Sequence, residues 1–228
     1  MKTVSSPIRA LCVAAILTAP ACAEPIWSYY NDGDAGFNAL TNNSELVQGA
    51  VEGRIGNRFD IGTWELAIWR RPDVGPFLSL GQLNWGNGQA APFSLVYDGG
   101  TTLSWMLGTT TISTTNLGGA FTDIFVRTRS APTGSVSLSS MEFVGGISIG
   151  NLSSVGSGTV NYIRITNGAT PFGAFELRGL EMLSWVANEP PINSQLGAQF
   201  RFTNVIPGPA SSMGLACAAA WGARRRRR

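Results

Sequence analysis

Apolar and polar positions alternate along most of this chain in short runs, and Gly, Pro or Asn separates one run from the next. In "PFSLVYDGGTTLSWMLGTTTIS", Phe93, Leu95 and Tyr97 alternate with Ser94 and Val96, and Asp98-Gly99-Gly100 follows. Those three residues tolerate positive φ, and Leu103, Trp105 and Leu107 then resume the alternation against Ser104 and Met106. A period of two on either side of such a turn predicts strands over 93–97 and 102–107, paired antiparallel, with Phe93, Leu95, Leu103 and Trp105 buried. "TWELAIW" places Trp64, Leu66 and Ile68 on one strand face and Trp69 on the other. "FTDIFVRTR", "GSVSLSSMEFVGG", "VNYIRITNG", "AFELRGLEMLSW" and "AQFRFTNV" each read as one strand or a strand pair. Turn signals about every ten residues, without long helical periods, predict an all-β fold, an antiparallel β-sandwich of jelly-roll-like kind with at most one short helix. The helical candidate is 39–53, "ALTNNSELVQGAVEG", where Ser44 would cap Glu45-Leu46-Val47, although two glycines count against it.

The two ends read differently from this body. The chain begins "MKTVSSPIRALCVAAILTAPACAEP": Lys2 and Arg9 supply charge, Ala10 to Leu17 form a short apolar core, and Ala21-Cys22-Ala23 is a small-x-small site. That is the layout of a secretory signal peptide over 1–23, with Ala21 and Ala23 as the residues signal peptidase reads, so the chain is expected to be exported. At the other end Pro207-Gly208-Pro209 closes the body, because neither proline can continue a strand ladder. Small and apolar residues run from Ala210 to Ala223, and Arg224, Arg225, Arg226, Arg227 and Arg228 finish the sequence. The apolar run is shorter than the roughly 20 residues of a spanning helix. With arginines behind it, the positive-inside preference would hold those five residues on the cytoplasmic side while the body crosses. Three regions are therefore expected: 1–23, a body over 24–206, and a tail over 207–228.

This division changes the charge picture. Seven of the 16 basic residues lie at the ends, leaving nine arginines in the body against all 14 acidic residues, a net of −5. A mildly acidic exported domain offers nucleic acid no electrostatic footprint. Cys12, Cys22 and Cys217 all fall outside the body, so about 180 residues must be held by their core without disulfides. The body also lacks His and Lys, which removes thiolate chemistry, His-based triads, the usual zinc sites, Schiff bases and P-loops.

Three groups of residues remain as candidate chemistry. "YYNDGDAGFN" gathers Asn31, Asp32 and Asp34 with Gly33 and Gly36, oxygen ligands of the kind calcium takes. Counted from Asp32, the fifth, sixth and twelfth positions of an EF-hand fall on Gly36, Phe37 and Asn43, so that motif fails and Asp32 and Asp34 stand as a weak metal candidate. Glu65, Glu176 and Glu181 are the carboxylates in predicted strands from which a glycosidase-type pair could be drawn, with alternation placing them on the solvent face instead. Six tryptophans lie in the body, Trp27, Trp64, Trp69, Trp85, Trp105 and Trp185. Trp64 and Trp105 fall on apolar faces, whereas Trp69, opposite Trp64, and Trp85, in the loop-like "NWGNGQ", could present rings to a sugar.

The tail "PGPASSMGLACAAAWGARRRRR" resembles the PEP-CTERM sorting signal of bacterial exosortase substrates: a proline motif, a brief apolar segment and a terminal arginine cluster, paired with a signal peptide. Gly208 stands where that family usually has Glu. "GTWELAIW", "FSLVYDGGTTLSWMLG" and "AQFRFTNV" make the body similar to choice-of-anchor domains, most nearly the W type. The resemblance implies recognition near Pro207 to Pro209 by an exosortase-like enzyme, removal of the tail at the inner membrane, and release to the cell surface or matrix. It transfers no catalytic residue and no cofactor. The expectation is a non-enzymatic structural or adhesive protein. Two alternatives stay open: a module binding extracellular polysaccharide, with a coplanar exposed aromatic strip, and a glycan hydrolase, with two carboxylates about 5–10 Å apart in a cleft.

Overall fold

A computed structural model of the chain describes residues 24–41, 46–55, 65–70, 77–187, 191 and 196–204. They form two antiparallel sheets packed face to face and one short helix. In sheet I the spatial order is β1 (Ile26–Tyr29), β12 (Val160–Thr166), β8 (Asp123–Arg129), β14 (Leu196–Thr203), β2 (Val47–Ile55), β3 (Leu66–Trp69) and β4 (Phe77–Gly81). Sheet II runs β10 (Ile147–Ser148), β9 (Gly134–Phe143), β13 (Phe175–Trp185), β5 (Ala90–Tyr97), β6 (Leu103–Leu107) and β7 (Thr110–Thr114), and β11 (Leu152–Val155) also pairs with β9. The fold is the all-β sandwich that the alternation predicts.

The hairpin of β5 and β6 forms as expected, with Leu95 opposite Trp105 and Phe93, Leu95, Leu103 and Trp105 all buried. Its turn is held by Asp98, whose Oδ1 accepts from the amides of Gly100 at 2.7 Å and Thr102 at 3.0 Å. Gly99 sits at φ 86°, a left-handed conformation that an L side chain resists, which is why the Asp-Gly-Gly signal works here.

The helix is displaced from the expected place. α1 spans Gly33–Thr41 and so takes in only the first three residues of the segment 39–53 expected to be helical; 42–45 lie outside the described residues and 46–53 run into β2. Ser44 and Trp64 lie outside the described residues. In α1, Phe37 and Leu40 are three apart and share one face, which packs on Phe125 and Tyr162 of sheet I. Residues 47–55 follow the sheet period, and their apolar side chains Val47, Ala50 and Val51 are all buried. Tertiary burial overrides the weak local helical pattern.

Aromatic rings fill the space between the sheets. Phe93 and Trp105 of sheet II meet Phe200 of β14, with ring centroids 5.5 and 5.3 Å from it. Phe121 packs against Tyr97 at 4.8 Å and Phe202 at 4.9 Å. A fully buried side chain of this size contributes roughly 1.5–3 kcal/mol, so a core of such rings holds a domain without disulfides.

Close approach of β14 and β2 gives one position no tolerance. A Cβ on Gly197 would lie 2.5 Å from the Gly53 carbonyl oxygen and 2.6 Å from the Arg54 Cβ. Gly197→Ala is expected to cost roughly 2 kcal/mol or more, seen as a lower urea midpoint. An unchanged midpoint would mean that the two central strands are not this close.

Candidate functional site

Glu52, Glu65 and Glu181 lie around Gly53 and Arg54 of β2, a gathering of carboxyls that the sequence pattern does not foretell. Glu65 is the residue before β3; its amide donates to the Gly81 carbonyl at 3.0 Å and its own carbonyl accepts from the Arg54 amide at 2.9 Å. The Glu65 side chain is 5% exposed. Trp85 Nε1 reaches it from the β4–β5 connection, donating to Glu65 Oε2 at 3.2 Å and to the Arg54 carbonyl at 3.1 Å. Loss of water pushes the Glu65 carboxyl up to about 7, against the opposing pull of the Trp85 N–H and the Arg54 guanidinium.

Glu52 points to the other face of sheet I, level with Gln199 and Arg127 across the strands. Burial raises its pKa, and the Arg54, Arg127 and Arg201 charges and a Gln199 hydrogen bond offset part of that rise. Arg54 stands 3.9 Å from Glu52 and also acts on Glu65. Glu181 faces the interior from β13 at 0% exposure, and among the described residues its carboxyl oxygens make no well-aligned hydrogen bond, the Ala198 amide acting on them only as a loosely placed donor. Its pKa is raised well above the usual range, by burial first; the Ala198 amide pulls the other way and the Glu52 carboxylate adds to the rise.

The expectation that Glu65, Glu176 and Glu181 lie on a solvent face is corrected for two of them. Parity decides Glu181, because it is in phase with Leu177 and Leu183, both buried. Glu176 is half-buried on the outer face of sheet II, where Ser94 Oγ donates to it at 2.9 Å. The three carboxylates thus occupy a sheet end, an outer face and an interlayer, and share no solvent-facing cleft among the described residues.

Both candidate sugar-contact tryptophans are inside as well. Trp69 is 4% exposed on the outer face of sheet I, clustered with Ala50 and Ala67 and edge-on to Phe77. Around Trp69 the outer face of sheet I is therefore not a solvent face. Trp85 is 9% exposed because its loop is stapled to β13. Asn87 Nδ2 donates to the Trp185 carbonyl and Asn87 Oδ1 accepts from the Trp185 amide, each at 2.9 Å, and the Gly88 amide donates to the Leu183 carbonyl at 2.8 Å. Trp105 is in the core, and Trp27 is half-buried over Gly150 and nearly perpendicular to Tyr29, at 87°. A coplanar strip is not what these rings form.

Asp32 and Asp34 are separated by the start of α1. Asp34 lies in its first turn, accepts a hydrogen bond from the Tyr162 hydroxyl and is 3.8 Å from Arg127 Nη2. Asp32 hydrogen-bonds with Tyr30. Among the described residues no three acidic, His or Cys side chains converge to hold a metal ion. Asp34 serves instead to fasten α1, together with Phe37, whose ring lies 4.6 Å from the Arg201 guanidinium and 5.5 Å from that of Arg127. Burial, followed by the Asp34 contact, raises the Tyr162 pKa.

The outer face of sheet II differs from both. Ser94, Ser104, Thr111, Ser113, Ser137 and Ser184 lie on it, with Arg178 and Glu142 joined by a 2.6 Å ion pair. Ala21, Ala23, Pro207, Gly208, Pro209 and Arg224 to Arg228 lie outside the described residues. Compared with known proteins, the chain matches no family model and no curated protein.

These contacts set the titration of Glu65. Its carboxyl carbon, followed by NMR, is expected to titrate near pH 7. Trp85→Phe, which removes the N–H that favours the charged form, should move that midpoint upward. A midpoint near 4.3, the ordinary glutamate value, would show that the carboxyl is solvated.

Proposed function

We propose that the chain is an exported cell-surface or matrix protein with a non-enzymatic structural role, sorted through its tail by an exosortase-like enzyme. The observation that carries this reading is the use to which the body puts its reactive side chains. Glu65 and Glu181 are buried, Asp34 and Arg127 hold α1, and Trp69 and Trp85 fill packing positions. With His, Cys and Lys absent from 24–206, few groups remain that could act as nucleophile or base near neutral pH. Export and sorting rest on the resemblance of the two ends. They imply signal peptidase at Ala21 to Ala23, a transient inner-membrane stage, and then the surface or the extracellular matrix.

A second reading, contact with extracellular polysaccharide, is favoured by the hydroxyl-rich outer face of sheet II. Nothing in the donor set of either reading calls for a cofactor.

Two experiments test the main reading. Purified body, residues 24–206, is expected to show no turnover on simple glycosides or peptides; hydrolysis that disappears on replacing one Glu or Asp would establish a hydrolase. In the native host, mass spectrometry of the mature protein should find a product lacking Arg224 to Arg228. Deletion of those five arginines should send the body into the periplasm with its tail uncut, since a short Ala-rich segment is weakly anchored by burial alone. A mature surface form that still ends in the five arginines would rule out tail sorting.

A further inference from the structure

We propose that Glu181 is an internal proton lock on the sandwich: the two sheets close over its neutral carboxyl, so the domain tightens in mild acid and loosens as its surroundings become alkaline. The geometry carries this. Glu181 projects from β13 into the space between the sheets, flanked on its own face by Gly179 and Leu183. Opposite it in sheet I stands Gly53, and a Cβ there would lie 3.1 Å from Glu181 Oε2 and 3.5 Å from Oε1. The space left by the missing side chain at Gly53 is shared by Leu107, whose Cδ2 would lie 2.5 Å from such a Cβ, and by the Glu181 carboxyl.

No cation faces it. From β2, Glu52 and Arg54 flank Gly53 but belong to the other face, where Arg54 is engaged by Glu52 and also acts on Glu65. β14 presents Ala198 and Phe200 inward, while Gln199 and Arg201 lie on its outer side. β9 offers Val136 and Leu138, β5 offers Ala91 and Phe93, and β6 offers Leu107, all without charge. Glu176, Arg178 and Glu142 occupy the outer face of sheet II. Among the described residues the charge that acts on Glu181 is another carboxylate, Glu52, which opposes ionisation. A carboxylate taken from water without a partner is costly, whereas the neutral acid is tolerated.

The sign follows. The folded-state pKa lies above the unfolded value of about 4.3, so the native state binds one more proton between the two. The stability that the neutral carboxyl confers is fully present below about pH 4.3 and is lost as pH rises through the folded-state pKa. This is the reverse of ordinary acid denaturation, and Glu65 adds to it over a window from about 4.3 to about 7.

The test compares the full-length chain with Glu181→Gln and Glu65→Gln by denaturant unfolding from pH 5 to pH 9, together with proton uptake on refolding. The wild-type midpoint should fall as pH rises. Glu181→Gln should make the fall with pH shallower and reduce proton uptake by about one, leaving the Glu65 component, and Glu65→Gln should leave the Glu181 component in place. Equal slopes and equal uptake in wild type and Glu181→Gln, or a wild-type midpoint that rises with pH, would overturn the proposal. Should Glu181→Gln fail to fold, carboxyl-carbon NMR of the wild type decides the matter. A Glu181 midpoint near 4.3 overturns the proposal, and a midpoint well above it sustains it.

Discussion

The central strand of sheet I, β14, is buried along its whole length, on both faces. Phe200 and Phe202 meet the rings of sheet II, while Gln199, Arg201 and Thr203 face the other way and are equally enclosed. A sheet covered on both sides leaves its outward polar groups no water to bond, so partners must come from within the protein. Arg201 Nε donates to Gln199 Oε1 at 2.6 Å and its guanidinium lies on the Phe37 ring. Arg164 binds the fully buried Asp123 at 2.6 Å, and Thr122 Oγ1 donates to the same carboxylate at 2.5 Å. α1 is part of this solution. Its Phe37 and Asp34 supply the ring and the charge that Arg127, Arg201 and Tyr162 require, and that requirement places the helix over the middle of the sheet.

Sheet II follows the ordinary rule of one dry face and one wet face more closely, with Glu181, Thr114 and Ser154 as buried polar exceptions. Conflict arises where the two regimes meet, along β2. Arg54 acts on both Glu52 and Glu65, and loss of water lowers its own pKa. Arg127 and Arg201 help Arg54 to compensate Glu52, but Glu65 has Arg54 alone among these three and Glu181, on the far side of the sheet, has none of them. All three glutamates are therefore shifted upward, with burial the largest cause in each. Removing one partner of such a set leaves a buried charge uncompensated, which costs far more than an exposed pair is worth.

How much of this could be read from the sequence depends on which sheet is considered. The β5–β6 hairpin was legible because period-two alternation and an Asp-Gly-Gly turn agree with one another and with a one-sided face. In sheet I the same rule misleads. "FRF", "VRT" and "IRI" look like strands with arginine toward water, yet Arg201 is 4% exposed and Arg127 is under a helix. The hidden second cover was not visible, because α1 is nine residues with two glycines and offers only Phe37 and Leu40 as an apolar face. Trp69 is enclosed by another route, packing with Ala50 and Ala67 and against the Phe77 ring of the neighbouring strand. Trp85 was missed because its burial depends on Asn87 pairing with Trp185, 98 positions away, a contact no local pattern encodes. Glu181 was within reach, since its phase with Leu177 and Leu183 could have been weighed above its charge.

The enclosure of sheet I also bears on what remains outside. Arg54, Arg127 and Arg201 are drawn largely into the fold, while Glu24, Asp32 and Asp98 stay exposed. Glu52, Glu65, Asp123 and Glu181 are drawn in as well, so burial removes acids along with arginines and leaves the surface acidic in keeping with the body's composition. Under the proposed reading this separates two tasks along one chain. With a net charge of −5 the body has little attraction to anionic headgroups, so membrane orientation is left to the terminal arginines, whose removal would free an acidic domain with little electrostatic reason to stay at the bilayer.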